Sequence, residues 1–254
     1  MAVQDLAAAS RFQVGQVVSK SLSIWLRNIL FFLAIGMLAH LPSLLYQLAF
    51  PVVPDPQNPM SGVKATVPAA LIDGVLAQLM TAIVTYAVVQ QLRGQPVRFG
   101  AALAGGLGRF FPVLLTSLCA GVLIGLASLA FVIPGIILMM VFWVAVPACV
   151  SEKLAVGASL SRSAALTKGY RWQVFGIVLL LGVLSLVAAF ILGGAVGFGL
   201  GVAHVALASI GVVAEFIANA VVGSLAAACA AVGYYYLRVV KEGVDIDQIA
   251  AVFD

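Results

Sequence analysis

Charge is what this chain lacks most. Of its 254 residues only 9% are charged and 63% are hydrophobic. A soluble domain carries roughly 25% charged and about 45–50% apolar residues. So little charge leaves no surface to solvate, which excludes a water-soluble globular fold. Alternation of apolar and polar residues is also missing, which excludes a transmembrane β-barrel. Histidine is nearly absent: His40 and His204 stand alone, with no HExxH, GxSxG, Walker or CxxC pattern anywhere. Ser161, Ser163 and Thr167 have no histidine nearby in sequence to activate them. No enzyme of a familiar class, no metal site and no cofactor are expected. The three cysteines (Cys119, Cys149, Cys229) lie inside apolar runs, in a spacing that fits neither a disulfide framework nor zinc. They read as small buried apolar residues. Asp5 and Arg11 precede any long apolar run, the wrong order for a cleavable signal peptide.

What is present is a series of long apolar runs. A helix needs about 20 such residues to cross the hydrocarbon. Asn28 to Phe50 is the first run, and Ala69 to Leu92 the second. Between them "PVVPDPQNPMSGVKATVP" reads as an extended loop. Phe110 to Val150 has no charge, is too long for one span and suits two, with "VIPG" (Val132 to Gly135) as the hairpin break. Between Arg171 and Arg238 the one charge is Glu215, so two more spans fit, with a turn near Gly199 to Ser209.

The expected fold is an all-α polytopic membrane protein with six transmembrane helices in three hairpins, each preceded by a cytoplasmic juxtamembrane helix. Its organisation is 1–27 N-terminal interfacial helix, 28–92 hairpin 1, 93–110 cytoplasmic loop, 111–150 hairpin 2, 151–171 cytoplasmic helix, 172–237 hairpin 3 and 238–254 cytoplasmic tail. Of the 13 basic residues only Lys64 then falls on the far side. The positive-inside rule predicts that both termini are cytoplasmic.

A threefold pattern runs through the three units. "VGQVVSKSL" (Val14 to Leu22) aligns without gaps to "VGASLSRSA" (Val156 to Ala164), and "FGAALAGGL" (Phe99 to Leu107) is a weaker copy. Each copy ends in a basic–aromatic entry to the membrane, at Trp25 and Arg27, at Arg109 to Phe111, and at Arg171 and Trp172. Tyr234 to Tyr236 mark the headgroup level where the last span leaves. In the first copy Val14, Val18, Leu22, Trp25 and Ile29 share one face, which predicts a helix in the membrane plane. The third copy is small-residue-rich nearly all round, which predicts packing beneath the bundle.

Ionisable residues within spans are functional candidates. His40, Asp73 and Glu215 have similar depth and are expected to form a polar cluster in the outer half. Gly193, Gly197 and Gly201 form a GxxxGxxxG series, and Gly121 and Gly125 a shorter one. Both are expected to serve helix packing within the bundle, ahead of homo-oligomer contact. Lys153, Arg162, Lys168 and Arg171 form a cytoplasmic basic rim. It is suited to anionic lipid headgroups or a partner protein as well as to orienting the chain. No nucleic-acid partner is expected.

The stretch "AVPACVSEKLAVGASLSRSAALTKGYRWQVFG" combines Pro147, Glu152, Gly157, Ser161–Arg162–Ser163 and Leu166 to Gly169 ahead of a new span. With "FVIPGI" and the tail "YYYLRVVKEGVDIDQIAAVFD", it resembles a broad group of bacterial six-span inner-membrane proteins. That group includes the membrane domain preceding some glycerophosphodiester phosphodiesterases and their uncharacterised stand-alone relatives. The resemblance implies a multi-pass protein of the bacterial cytoplasmic (inner) membrane with both termini inside. It does not imply hydrolase activity, which a separate soluble domain carries in the enzyme relatives.

The function expected from these residues is non-enzymatic: a scaffold, assembly or regulatory partner of a membrane complex, or a lipid-homeostasis factor. The alternative is a transporter or channel for a small or lipid-like substrate. That alternative requires a polar cavity near the midplane and discontinuous helices, with Gln78, Thr81, Thr85, Gln90, Asn219 and Glu215 as lining candidates.

Overall fold

A computed structural model describes residues 12–51, 59–92, 94–199 and 204–243. Most of the described residues are helical, and none of them forms a strand. The helices are α1 (Val14–Arg27), α2 (Ile29–Ala49), α3 (Pro59–Leu92), α4 (Phe99–Leu107), α5 (Phe110–Ala130), α6 (Val132–Val141), α7 (Ala145–Ser151), α8 (Val156–Thr167), α9 (Arg171–Gly199) and α10 (His204–Glu242). Six spans are long and apolar enough to cross a membrane: α2, Thr66–Leu92 of α3, α5, Val132–Ser151 (α6 with α7), Arg171–Ile191 of α9 and Gly211–Glu242 of α10. The chain is therefore an all-α, multi-pass membrane protein. The spans pair as α2 with α3, α5 with α6 and α9 with α10. The short helices α1, α4 and α8 precede the three hairpins, as the internal repeat predicts.

α10 is the axis of the bundle. It packs against α2, α9, α3 and α1, and 56% of its span window is buried, against 11% for α9. At about 1.5 Å per residue its 39 residues reach roughly 58 Å, well beyond a hydrocarbon layer of about 30 Å. Both the large burial of α10 and the large apolar exposure of α9 follow from position. Leu186, Phe190 and Ile191 of α9 are exposed, as side chains facing lipid should be.

Four expectations change. The Pro-rich connection is not loop throughout, because α3 begins at Pro59. Proline at a first helical position loses no hydrogen bond and has the right φ. Pro68 lies inside the same helix. The last hairpin also has less turn than expected, since α10 already starts at His204.

The face that α1 buries is offset from the predicted stripe. Val17, Ser21, Ile24 and Trp25 are buried, while Leu22 and Ile29 are exposed. α1 lies against α10 and α9, so one side meets protein while Leu22, Leu26 and Ile29 stay outside. An apolar stripe read from sequence does not separate those two surroundings. Trp25 donates its indole N–H to Ser224 Oγ of α10 at 3.0 Å. Like Tyr234, Tyr235 and Tyr236, it is buried against protein, whereas Trp172 is 81% exposed.

The close helix contacts fall on other glycines than the expected series. Nothing lies within 4 Å of a Cβ placed at Gly121 or Gly125. Gly193 and Gly197 lie on α9, with surroundings outside the described residues, and Gly201 lies outside them altogether. The contact that demands glycine is at Gly36, where a Cβ would collide with the backbone carbonyl of Ala220 on α10. A second is Gly233, against the Trp143 indole. Gly36→Ala should lower stability by about 1–3 kcal/mol, because backbone cannot move aside. Gly125→Ala should raise it by up to about 1 kcal/mol through helix propensity. Thermal unfolding in detergent checks both; equal effects would remove the α2–α10 contact from the account.

Candidate functional site: a broken span and a cavity

The fourth span is not one helix. α6 ends at Val141, and α7 starts at Ala145 after a turn in which Phe142 (φ −97°, ψ 7°) and Val144 (φ −104°, ψ 16°) leave helical geometry. Pro147 is the cause that the sequence offers. It has no N–H for the carbonyl four residues earlier, Trp143, and its ring crowds that carbonyl. The Ala145 N–H turns to Phe142 O at 3.0 Å, so Val141 O loses its own helical donor. A bilayer offers no water to replace it.

α8 supplies the replacement. Ser163 donates its hydroxyl to Val141 O at 2.7 Å; the Thr167 hydroxyl lies 3.3 Å from the same oxygen and 2.9 Å from Ser163 O, so it is within reach of the break as a second donor. The Ser-basic-Ser and Leu-Thr-basic-Gly motifs thus acquire structural roles. Ser163 and Thr167 cap the break, Leu166 is buried, and Gly169 turns the chain into α9 at φ +89°. Arg109 does the same for the other end of α7. It donates to Cys149 O and Leu154 O, both at 3.0 Å.

Arg162 lies between these caps in an ion network. It donates to both oxygens of Glu152 at 2.8 and 2.9 Å and to Glu242 at 2.8 Å. Tyr234 donates to Glu152 at 2.6 Å, and Arg238 to Glu242 at 3.0 Å. Burial disfavours the Arg162 charge, but the hydrogen bonds to Glu242 and Glu152 outweigh it and hold its pKa above the ordinary arginine value. Of the four rim residues, Arg162 therefore faces inward to carboxylates. Lys153, Lys168 and Arg171 are exposed. Lys153 sits in the left-handed region at φ 52° just after α7, a helix-ending position usually taken by glycine.

Beside the break lies a cavity of about 530 Å³. Its polar lining includes His40, Asp73, Gln78, Ser117 and Asn219, and its wall at the break is Phe142 and Trp143. His40 is near the middle of α2, and Asp73 faces it from α3. His40 Nδ1 and Asp73 Oδ1 are 2.5 Å apart, and Ser43 donates to the same carboxylate oxygen at 3.0 Å. Gln78 Oε1 accepts the Ser117 hydroxyl at 2.8 Å, tying α3 to α5.

A second cavity, of about 270 Å³, shares His40, Asp73 and Asn219 and adds Glu215. The structure therefore brings His40, Asp73 and Glu215 around one space, as their depths suggested. Gln78, Thr81 and Asn219 line the larger cavity. Thr85 does not, since its hydroxyl bonds Thr81 O. Gln90 lies away from it and accepts the Arg98 backbone N–H at 3.4 Å. Ser43, Thr116, Ser117 and Trp143 carry no pattern that sequence reasoning would pick out. Among the described residues no cluster of His, Cys, Asp and Glu is able to hold a metal ion.

The architecture is thus that of a six-span helical membrane protein with a largely apolar cavity edged by a few polar side chains. Comparison with family models, with curated proteins and with solved structures finds no match.

Ser163→Ala should cost about 1 kcal/mol, because Thr167 still reaches Val141 O. Glu152→Gln should cost about 1–3 kcal/mol, the scale for hydrogen bonds to charged groups. Thermal unfolding of each variant and of the double Glu152→Gln, Arg162→Gln variant checks this. The double variant should lose less than the sum of its two single variants; strict additivity would mean that the pair is uncoupled.

Proposed function

We propose that the chain admits a small polar solute to a cavity within the bilayer, as a transporter or channel. One observation carries this reading: the 530 Å³ cavity with a buried His40 paired to a half-buried Asp73 against a broken span. Non-helical backbone and ionisable side chains at membrane depth are costly. They are characteristic of places where a protein binds or moves something. A passive scaffold calls for a dry, close-packed midplane, so the scaffold, assembly and lipid-homeostasis expectations have less support. The exposed Lys168 and Arg171 favour contact with anionic headgroups at the basic face. The resemblance to bacterial six-span proteins and the basic asymmetry favour a cytoplasmic membrane with both termini inside; a fluorescent-protein fusion after Asp254 that stays dark would contradict that orientation.

Water in the cavity is the first requirement. In a variant with Cys119, Cys149 and Cys229 replaced by alanine, Ala226→Cys places a thiol on the cavity wall. A membrane-impermeant methanethiosulfonate should label it in proteoliposomes. Ala228→Cys, fully buried among helices, should stay unlabelled. Equal protection of both thiols would show a dry interior and end the solute reading.

A further inference from the structure

We propose that the larger cavity takes a small organic cation bearing an N–H donor, a protonated amine on an apolar body. This rests on the solute-cavity reading above and names the chemistry of the ligand.

The charge of the site comes first. Asp73 and His40 are the ionisable residues lining the cavity, and no Lys or Arg lines it among the described residues. The adjoining cavity adds a second carboxylate, Glu215, and again no described cation. Asp73 accepts from His40 Nδ1 and from Ser43 at a single oxygen. His40 is the one group lining either cavity that can carry positive charge, so among the described residues Asp73 and Glu215 together have at most one cationic neighbour, and charge left unpaired away from water is expensive. A cation supplies what the protein does not.

The second observation is His40 itself. An ionised Asp73 accepts only, so Nδ1 carries the proton toward it, and in the neutral ring Nε2 then presents a lone pair. Nε2 has no hydrogen-bond partner, although His40 is only 5% exposed. It points to a corner of the cavity formed by Gly223 and Met80: a methyl at Gly223 would lie 3.4 Å from both Nε2 and Met80 Cε. Absence of a side chain at Gly223 keeps that corner clear, and Met80 is a flexible cover. An ammonium N–H satisfies Nε2 while its charge faces Asp73.

The rest of the wall decides between a bare ion and an organic one. Phe142 and Trp143 present aromatic surface, with methionine and alanine around them. Such a wall cannot replace the hydration shell of a metal ion. It suits an apolar body and offers cation–π attraction. The volume is in the range of ligand pockets, about 300–1,000 Å³, and far larger than one ion needs.

The test is equilibrium calorimetry on the full chain in lipid nanodiscs at neutral pH, with empty nanodiscs subtracted. Four probes are compared: 2-phenylethylammonium, its N-trimethyl analogue, 2-phenylethanol and 3-phenylpropanoate. The primary ammonium should bind at least about tenfold more tightly than the alcohol, the scale of one charged hydrogen bond. The trimethyl analogue should be weaker than the primary ammonium, and the carboxylate should not bind. Asp73→Asn should erase the preference for the cation. Gly223→Ala, which adds only an ordinary van der Waals contact, should weaken the primary ammonium and leave the trimethyl analogue unchanged. It keeps the test open if Asp73→Asn does not fold. Equal binding of the alcohol, binding of the carboxylate, or an unchanged preference in Asp73→Asn overturns the cation assignment. If the Ala226→Cys thiol is labelled and yet no preference appears, only the cation assignment falls. If the thiol is protected, the solute reading falls as well.

Discussion

The structure depends on how one carbonyl group is satisfied. In a bilayer every backbone donor and acceptor needs a partner from the protein. Pro147 breaks the fourth span, and the break orphans Val141 O. Ser163 and Thr167 reach it from α8, a helix outside the spans. That contact fixes α8 beneath the bundle. Arg162, on the same helix, then lies within reach of Glu152 at the end of α7 and Glu242 at the end of α10. A chain of local necessities thus connects one proline to the closure of the whole basic face.

The break also makes the cavity. A continuous helix would carry Trp143 along its own face; the turn instead sets the indole over Gly233 of α10, with Phe142 and Trp143 forming one wall. The opposite wall is the His40–Asp73 pair, held by Ser43. Gly36 lets α2 come against the Ala220 backbone, which brings His40 beside Gly223. The polar residues are therefore placed by helix contacts that are themselves apolar. The cavity persists because its walls belong to six different helices, α2, α3, α5, α6, α7 and α10, with side chains too small, such as Ala226 and Ala227, to fill the centre.

Much of this was legible in the sequence. Hydropathy and run length define six spans because the bilayer thickness is a fixed ruler. The depths of His40, Asp73 and Glu215 follow from counting along the spans, and their meeting followed from depth. Pairing partners were not legible. Arg162 looks like a free basic residue until Glu242, 80 residues away, is seen beside it. The GxxxG series marks faces with small residues but not what lies across from them, so Gly121 and Gly125 drew attention that belonged to Gly36. For α1 the apolar residues were evident, yet a stripe facing lipid and a stripe facing protein look alike in sequence. Pro147 was visible as a residue, while its effect on Trp143 depended on whether neighbours could tolerate a break.

The central claim is that the fourth span is broken at Phe142–Val144 and faces water. Amide hydrogen–deuterium exchange of the full chain in lipid nanodiscs tests it directly. Peptides covering residues 139–147 should exchange well ahead of peptides from the lipid-facing α9 segment, residues 177–187. Equal protection of the two would mean a continuous, dry helix, and would contradict both the break and the cavity built on it.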